Sequence, residues 1–312
     1  MPDTLLRVEE LRVDYEEVTA VRDVSFDVEA GMVYGLIGPN GAGKTSIMNA
    51  IATLVEPTYG RVSVCGMSVS EDPVHALPRL GFMPDFPPLY EDLTVLEFLE
   101  LFASAYGIPH EARGTRIDVL LEQMRLGEKR DAMTGSLSRG MRQRLFLAKT
   151  LLHDPDVLLL DEPASGLDPN ARSELAAIIR GLGQANKAVL VSSHILAEME
   201  DFCNSVGIVE EGRMLVSGRI HEVVSRLRAG RSTKLSLAVP DERLAAFLAA
   251  RPDVTQLVAD ASHAAFELAG DVAEAAALLH ALVDAGFAVA DFAEEAAGIQ
   301  DIFERLSAGK TS

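Results

Sequence analysis

The residues best suited to chemistry lie in a glycine-rich segment near the start of the chain. Residues 38–45 match G-x-x-x-x-G-K-[ST], in which backbone N–H groups and a following helix bind phosphate. Gly41 and Gly43 permit the tight turn, Lys44 can reach the β- and γ-phosphates, and Thr45 offers a hydroxyl to Mg²⁺. The predicted nucleotide-binding residues are Gly38, Pro39, Asn40, Gly41, Ala42, Gly43, Lys44, Thr45 and Ser46.

A second candidate group is the acidic pair Asp161-Glu162, which follows the apolar run Val157–Leu160. A continuous apolar run of this kind predicts a strand of a buried parallel sheet. At the end of such a strand Asp161 can hold Mg²⁺, and Glu162 can take a proton from the attacking water. The alternative is an ordinary solvated strand end, which the glycine-rich segment upstream disfavours.

The glycine-rich segment needs a strand before it and a helix after it. Val33–Ile37 has the composition of the strand, and the helical pattern begins at Ser46 and ends near Leu54. This context disfavours the alternative of an ordinary glycine-rich turn. Asp168-Pro169 predicts a further helix start, because an aspartate accepts well at the N-cap and proline suits the first helical position.

Other elements can be predicted from local signals. Thr94 and Glu97 have the spacing of a capping box, so a helix is expected from residue 95 to 106. The proline-containing stretch 82–90 predicts an exposed loop. Ala188–Ser193 predicts another strand, and Val206–Ser217 predicts a hairpin.

The composition changes near residue 230 and becomes alanine-rich, which predicts a separate small α+β domain. Its expected elements are strand Lys234–Ala238, helix Glu242–Ala250, strands Val254–Ala259 and Ala264–Leu268, helix Val272–Ala285, strand Ala288–Asp291 and helix Ile299–Leu306.

Composition excludes several classes of protein. The chain has 312 residues, 48% of them hydrophobic, and a net charge of −19, which argues against nucleic acid as a partner and against a basic membrane-docking patch. No apolar run is long enough to cross a bilayer, and the first residues do not resemble a secretory signal. Cys65 and Cys203 are too few for a disulfide framework, so a reducing compartment is expected.

Taken together, the motifs resemble those of the ATP-binding cassette of ABC transporters. Leu137–Met141 is similar to the family's LSGGQ signature, residues 165–168 to its D-loop, and His194 to its H-switch. The resemblance covers about residues 5–225. It implies a P-loop NTPase core with an antiparallel β subdomain and a helical subdomain. The expected domains are therefore an ATP-binding domain, 1–225, and a C-terminal accessory α+β domain, 226–312, which resembles that of stand-alone bacterial ABC-2-type export cassettes through residues 299–303.

The resemblance also implies roles for individual residues. Tyr15 would stack on adenine, and His194 would contact the γ-phosphate. Ser138 and Gly140 would donate to the γ-phosphate of ATP held by another chain, and Asp168 would reach toward that chain. The alternatives are a half-buried strand tyrosine for Tyr15 and a packed or surface histidine for His194. Catalysis would then rest on Glu162 and His194 with Lys44.

Three residues depart from the family pattern. Arg139 replaces the first glycine of the signature pair and Met141 replaces its glutamine; Arg139 could add a cation near phosphate or lie in solvent. Asp85 stands in segment 81–85 where the family has the Q-loop glutamine. A carboxylate can also serve a hard cation, so Thr45, Asp85 and Asp161 are the expected Mg²⁺ ligands.

The family implies two partners: a second copy of this chain, or a paralogous cassette, arranged head to tail around two ATP, and an integral-membrane permease. The expected location is cytoplasmic, on the inner face of the cell membrane. The permease would dock on an apolar groove, for which the alternative is a cap on the protein's own core. Its candidate residues are Phe86, Leu89, Tyr90, Leu93, Val95 and Phe98.

The function expected from the resemblance is ATP hydrolysis coupled to transmembrane translocation, with export favoured over import. The alternatives are a non-transport ABC ATPase that acts as a regulatory or assembly protein, and a nucleotide sensor without hydrolysis. The intact Lys44, Asp161, Glu162 and His194 disfavour the sensor.

Overall fold

A computed structural model describes residues 3–85, 89–195, 198–199, 201–220, 222–223, 231–270 and 272–295. The chain divides into two compact units, Met1–Ile220 and His221–Ser312. The assignment of residues 1–225 to an ATP-binding domain and 226–312 to an accessory domain stays a prediction. Among the described residues, no helix is long and apolar enough to cross a membrane.

The structure gives the bounds of ten strands and six α-helices in the first unit. The strands are β1 (Thr4–Tyr15), β2 (Val18–Glu29), β3 (Val33–Ile37), β4 (Tyr59–Val64), β5 (Met67–Ser68), β6 (Leu80–Met83), β7 (Val157–Leu160), β8 (Ala188–Ser193), β9 (Ser205–Glu210) and β10 (Arg213–Arg219). The helices are α1 (Lys44–Ile51), α2 (Pro73–Ala76), α3 (Val95–Ala105), α4 (His110–Gln123), α5 (Arg139–Leu151) and α6 (Pro169–Gln184). Short 3₁₀ turns occupy Leu77–Arg79, Gly127–Lys129 and Thr134–Ser136.

One half of the sheet is parallel and carries the glycine-rich segment. The sheet order is β5-β4-β1-β2-β10-β9-β3-β8-β7-β6, and the pairs from β9 to β6 are all parallel. Strands β3, β7 and β8 are buried along their whole length. Because parallel strands end at the same edge, the carboxyl ends of β3, β8, β7 and β6 meet there.

The other half, β5-β4-β1-β2, is antiparallel. Helix α1 packs on β1 and β2, and its Ile47, Met48 and Ile51 are fully buried in a core shared with the parallel strands β7 and β8. This shared core fixes the helix that follows the glycine-rich segment against both halves of the sheet. The hairpin of β9 and β10 turns at Glu211-Gly212, both with positive φ, as a type I′ turn requires.

A helical segment of α3, α4 and α5 is inserted between β6 and β7. The predicted capping box at Thr94 is present, with the Thr94 hydroxyl accepting from the Glu97 N–H and the Glu97 carboxylate accepting from the Thr94 N–H. The phenyl ring of Phe98 packs edge-on against Phe146, with 5.9 Å between the ring centroids.

Two sequence predictions for this region are wrong. Phe82 and Met83 belong to strand β6, rather than to an exposed loop, because they pair with β7 at the edge of the sheet. Val95 and Phe98 do not form an exposed groove, since both are fully buried inside the helical segment. Phe86 lies outside the described residues.

The second unit is a βαββαβ arrangement. It comprises β11 (Arg231–Leu237), α7 (Leu244–Ala249), β12 (Val254–Ala259), β13 (His263–Leu268), α8 (Val272–Asp284) and β14 (Val289–Glu295). The antiparallel sheet has the order β12-β13-β11-β14, the order of a split βαβ fold. Its separate core includes Leu235, Phe266 and Leu278. The predicted α+β class is confirmed; the predicted helix Ile299–Leu306 lies outside the described residues.

Candidate functional site

The glycine-rich segment joins the end of β3 to the start of α1. Gly41 and Gly43 have φ of +82° and +103°, in the region that side chains disfavour. A Cβ at Gly43 would lie 2.5 Å from the carbonyl oxygen of Ala20, and one at Gly38 would lie 2.2 Å from that of Val209. These close approaches explain why glycine is needed for the turn.

Lys44 is held inside this turn and is only 6% exposed. Its Nζ donates to the carbonyl oxygens of Gly38 and Pro39 at 2.8 and 3.2 Å. It also lies 3.7 Å from Oε1 of Glu162. Burial lowers the pKa of Lys44, and the charges of Glu162 and Asp161 oppose that shift. The ammonium is thus fixed beside the segment's concave face.

Asp161 lies directly after β7 and is 2% exposed. Its Oδ2 accepts from the Thr45 hydroxyl at 3.0 Å, and its Oδ1 accepts from the Ser192 hydroxyl at 2.5 Å. The Ser192 Oγ in turn accepts from the N–H of Glu162 at 2.9 Å. Ser192 therefore holds both acidic residues in place.

Sequence reasoning did not identify Ser192 as a site residue. It is fully buried near the end of β8, the strand between β3 and β7. A polar residue at the end of an apolar strand, in a sheet whose neighbours carry the glycine-rich segment and the acidic pair, is the signal that could have found it.

Glu162 and His194 face each other across the same edge of the sheet. Nδ1 of His194 lies 3.0 Å from Oε2 of Glu162, whose other oxygen faces Lys44. Glu162 has φ of +47°, an uncommon value for a residue with a side chain, and its side chain is 15% exposed. The carboxylate is therefore held between a cationic group and an imidazole.

Asp85 follows β6 at this edge and has an unsatisfied oxygen. Its Oδ1 is buried and has no hydrogen-bond partner within the described part of the chain. Burial raises the pKa of Asp85, the nearby charges of Asp161 and Glu162 raise it further, and Arg139 and His194 lower it. An additional cation would relieve this arrangement.

The oxygens at this edge suit a hard divalent cation whose remaining ligands would be phosphate oxygens and water. The hydroxyl of Thr45 and the carboxylates of Asp161 and Asp85 are the oxygen donors that Mg²⁺ prefers. No group of three or more His, Cys, Asp and Glu side chains that could hold a metal occurs among the described residues. The donor set therefore fits a nucleotide-borne Mg²⁺ better than a metal bound by protein alone.

Lys44, Thr45, Asp85, Glu162 and His194 line one open cavity of about 490 Å³. Tyr15, at the end of β1 and 40% exposed, forms part of the wall. The complete lining is Tyr15, Ala20, Asn40, Gly41, Gly43, Lys44, Thr45, Ser46, Asp85, Glu162, Ser165 and His194.

Seven predicted site residues are absent from this lining. Four of them lie within two positions of a lining residue in the chain, namely Gly38, Pro39, Ala42 and Asp161, and the other three are Ser138, Gly140 and Asp168. Ser138 is exposed and caps α5 by accepting from the N–H of Met141 at 3.3 Å. Gly140 is buried, and a Cβ there would lie 2.8 Å from that of Ala171 on α6. Asp168 caps α6 by accepting from the N–H of Ala171 at 2.9 Å. Ser138, Gly140 and Asp168 therefore lie outside the cavity lining of their own chain.

We expect Ser192→Ala to lower the free energy of unfolding by about 1–3 kcal/mol, because it leaves a buried carboxylate oxygen and a backbone N–H without their partner. Urea unfolding followed by circular dichroism measures the change. Ser70→Ala, at an exposed turn position, is the matched control and should stay within about 0.5 kcal/mol. Equal unfolding midpoints for the two variants would contradict the bridging role.

A glycine-rich loop between a parallel strand and a helix, with a lysine and an acidic strand end beside it, defines a P-loop nucleoside-triphosphate-binding protein. Comparison with known proteins narrows this class. The family model described as "ABC transporter" matches residues 21–165.

Curated relatives and solved structures agree with this match. The chain is 39% identical over 221 residues to "Nod factor export ATP-binding protein I" of Ralstonia nicotianae, covering 71% of this chain and 69% of that protein. The protein of the same name from Burkholderia lata is 42% identical over 204 residues, 65% of this chain and 67% of that one.

Among solved structures, an ATP-binding subunit of an ABC transporter is 33% identical with a TM-score of 0.64, over 72% of this chain and 93% of that one. CbiO1 of Clostridium perfringens, part of the ABC transporter complex CbiONQ, is 25% identical with a TM-score of 0.66, over 72% and 95%.

The chain belongs to the ABC transporter family. It is an ATP-binding, ATP-hydrolysing subunit, the motor of a transporter. The matches confirm the family, the fold class and the enzymatic activity that the motifs predict.

Proposed function

We propose that this chain drives an exporter by closing head to tail with a second cassette around two Mg²⁺-bound ATP molecules, while it is docked on a separately encoded permease. The observation that carries the proposal is that the expected site is divided between two parts of the chain. The phosphate cavity and the exposed signature residue Ser138 belong to one chain but do not meet within it.

The cavity supports the ATP-binding roles. Lys44 supplies a fixed positive charge for the β- and γ-phosphates, and the N–H groups in the first turn of α1 supply donors. Tyr15 offers an aromatic face at the rim, and stacking of a base on it contributes about 1–3 kcal/mol. Thr45, Asp161 and Asp85 would hold Mg²⁺, which neutralises charge on the phosphates when bound.

Hydrolysis requires a group that takes a proton from water as the water oxygen bonds to the γ-phosphorus and the bond to the ADP oxygen breaks. Glu162 is placed for this role because its carboxylate borders the cavity beside Lys44. His194, 3.0 Å from Glu162, orients the carboxylate and contributes a second polar group at the γ-phosphate end. The products are ADP and inorganic phosphate.

The second half-site comes from the partner cassette. Ser138 caps α5 at an exposed position, so its hydroxyl and the positive end of the helix are available to a phosphate on another chain. The N–H of Gly140, in the first turn of the same helix, would donate to that phosphate once the two chains close. Asp168 at the start of α6 would lie at the same contact. A two-fold arrangement would complete two sites at once.

The export direction and the permease are supported by the relatives and by one exposed surface. Two relatives carry the word export in their names. Tyr90, before α3, and Met133, between α4 and α5, are 51% and 46% exposed. The two loops are connected by the hydroxyl of Thr134, which donates to the carbonyl oxygen of Tyr90. An apolar surface of this kind suits a short helix of a membrane subunit on the cytoplasmic face.

We expect Tyr90→Asp to reduce binding of the full chain to washed membranes of its source cell by about tenfold, because it puts a charge where an apolar helix would dock. Val74→Asp, at a residue 76% exposed in α2, is the matched control and should bind like the unmodified chain. Co-sedimentation measures both. Saturable binding that Tyr90→Asp leaves unchanged would exclude this surface, and no binding at all would contradict docking on a membrane permease.

A further inference from the structure

The signature segment contains an arginine whose position the sequence left open. Arg139 is the first residue of α5, and its guanidinium lies against Gly166 of the same chain. A Cβ at Gly166 would lie 2.6 Å from Cζ, 2.6 Å from Nη1 and 2.9 Å from Nη2 of Arg139. The planar group therefore fills the space that a side chain at Gly166 would need.

Gly166 belongs to the loop that connects the acidic pair to α6. Its φ is +65°, which favours glycine independently of the arginine. Within this loop the N–H of Ser165 donates to the carbonyl oxygen of Glu162 at 3.1 Å, and Ser165 lines the phosphate cavity. A contact at Gly166 is thus one residue from the cavity wall and four from Glu162.

The charge of Arg139 also suits its place. The cavity edge carries the carboxylates of Asp85, Asp161 and Glu162, with Lys44 as the fixed cation among the lining residues. A second cation at this end offsets their mutual repulsion.

We propose that Arg139 is a positioning residue for the ATP bound by its own chain, because it holds the loop at Gly166 and so keeps Glu162 in register. Its neighbour Ser138 serves the ATP of the partner chain. One signature segment therefore acts on both sites of the dimer, through adjacent residues that face different nucleotides. This inference rests on the head-to-tail dimer of the proposed function.

The main test measures ATPase activity of Arg139→Ala. Misplacing the base by a fraction of an ångström should lower kcat by about tenfold while KM for ATP stays within about twofold. Arg139→Lys, which keeps the charge but not the planar group, should recover part of the loss. A change in KM with unchanged kcat would overturn the positioning role.

Mixed dimers distinguish an effect of Arg139 on the ATP of its own chain from an effect on the ATP of the partner chain. Each active chain is mixed with excess Lys44→Ala chain, so that only the site built on the active chain's Lys44 can turn over, and the partner supplies an intact signature. We expect the Arg139→Ala mixture to remain about tenfold slower than the wild-type mixture, because the defect lies in the chain that holds ATP. Equal rates would show that Arg139 acts across the interface and would overturn the inference.

The Ser138→Arg mixture is the reference in the same experiment. It should match the wild-type mixture, since its defective signature faces the disabled site. If it does not, the head-to-tail dimer fails, and this inference fails with it.

A double-substitution cycle tests the contact itself. Gly166→Ala should slow turnover because the new methyl group displaces the guanidinium. In the Arg139→Ala background the same substitution should cost less, because no guanidinium is displaced and only the strain at a φ of +65° remains. Fully additive losses would overturn the contact. Thermal unfolding midpoints of all variants provide the control for folding. If Arg139→Ala fails to fold, Arg139→Lys takes its place in the cycle.

Discussion

Glu162→Gln is expected to bind ATP at least as tightly as the unmodified chain and to lose turnover by about 10²–10⁴-fold. The amide has the size of the carboxylate but cannot take the proton from water. It also removes a negative charge that lies 3.7 Å from Lys44 and would face the γ-phosphate. Because hydrolysis no longer separates the two cassettes, the ATP-bound dimer should persist.

Steady-state phosphate release measures turnover, equilibrium titration measures ATP affinity, and sedimentation velocity with ATP measures the dimer. Glu111→Gln makes the same chemical change at an exposed position in the first turn of α4 and is the matched control. A near-normal rate for Glu162→Gln would remove Glu162 from the base role, and a dimer that dissociates with ATP still bound would contradict the account of closure.

The second large effect is expected for Ser138→Arg. Ser138 is exposed and lies outside the cavity of its own chain, so ATP binding to single chains should survive. Hydrolysis should fall to background, because the long charged side chain would occupy the place of the partner's γ-phosphate. Mixing this variant with Lys44→Ala should restore activity at one site per dimer.

Turnover is measured at several mixing ratios with total protein held constant. Turnover is expected to be highest at an intermediate mixing ratio, because each pure variant is inactive. Ser70→Arg, which puts the same side chain at an exposed turn residue, should keep its activity without a partner. Absence of rescue at every ratio would contradict a site shared between chains.

Some elements could be predicted to the residue because a single physical signal decides them. Val33–Ile37, Val157–Leu160 and Ala188–Ser193 are strands buried on both faces, so continuous apolar runs mark their limits. The starts of α3 and α6 follow from their caps at Thr94 and Asp168.

Other features depend on neighbours that are distant in sequence. β6 is only four residues long and is flanked by Pro78 and Pro84, so its pairing with β7 decides its structure. The apolar face of α3 indicates that Val95 and Phe98 pack against another element, but the sequence does not say which one. In the structure α5 is that element, and its Phe146 contacts Phe98. Arg139 and Gly166 meet because α5 and α6 pack together.

The residues of the glycine-rich segment fall between these cases. Their identities follow from the motif, because its spacing encodes a local turn. The bridge from Ser192 to Asp161 and Glu162 does not, since it requires the order of strands in the sheet.

Lys44 has lost nearly all its contact with solvent within the folded chain, where two carbonyl oxygens and Glu162 surround it. Removal of water from this ammonium group therefore accompanies folding and is largely complete before a nucleotide arrives. A triphosphate that binds here therefore meets an ammonium group that folding has already desolvated, and the free-energy cost of removing water falls mainly on the phosphates.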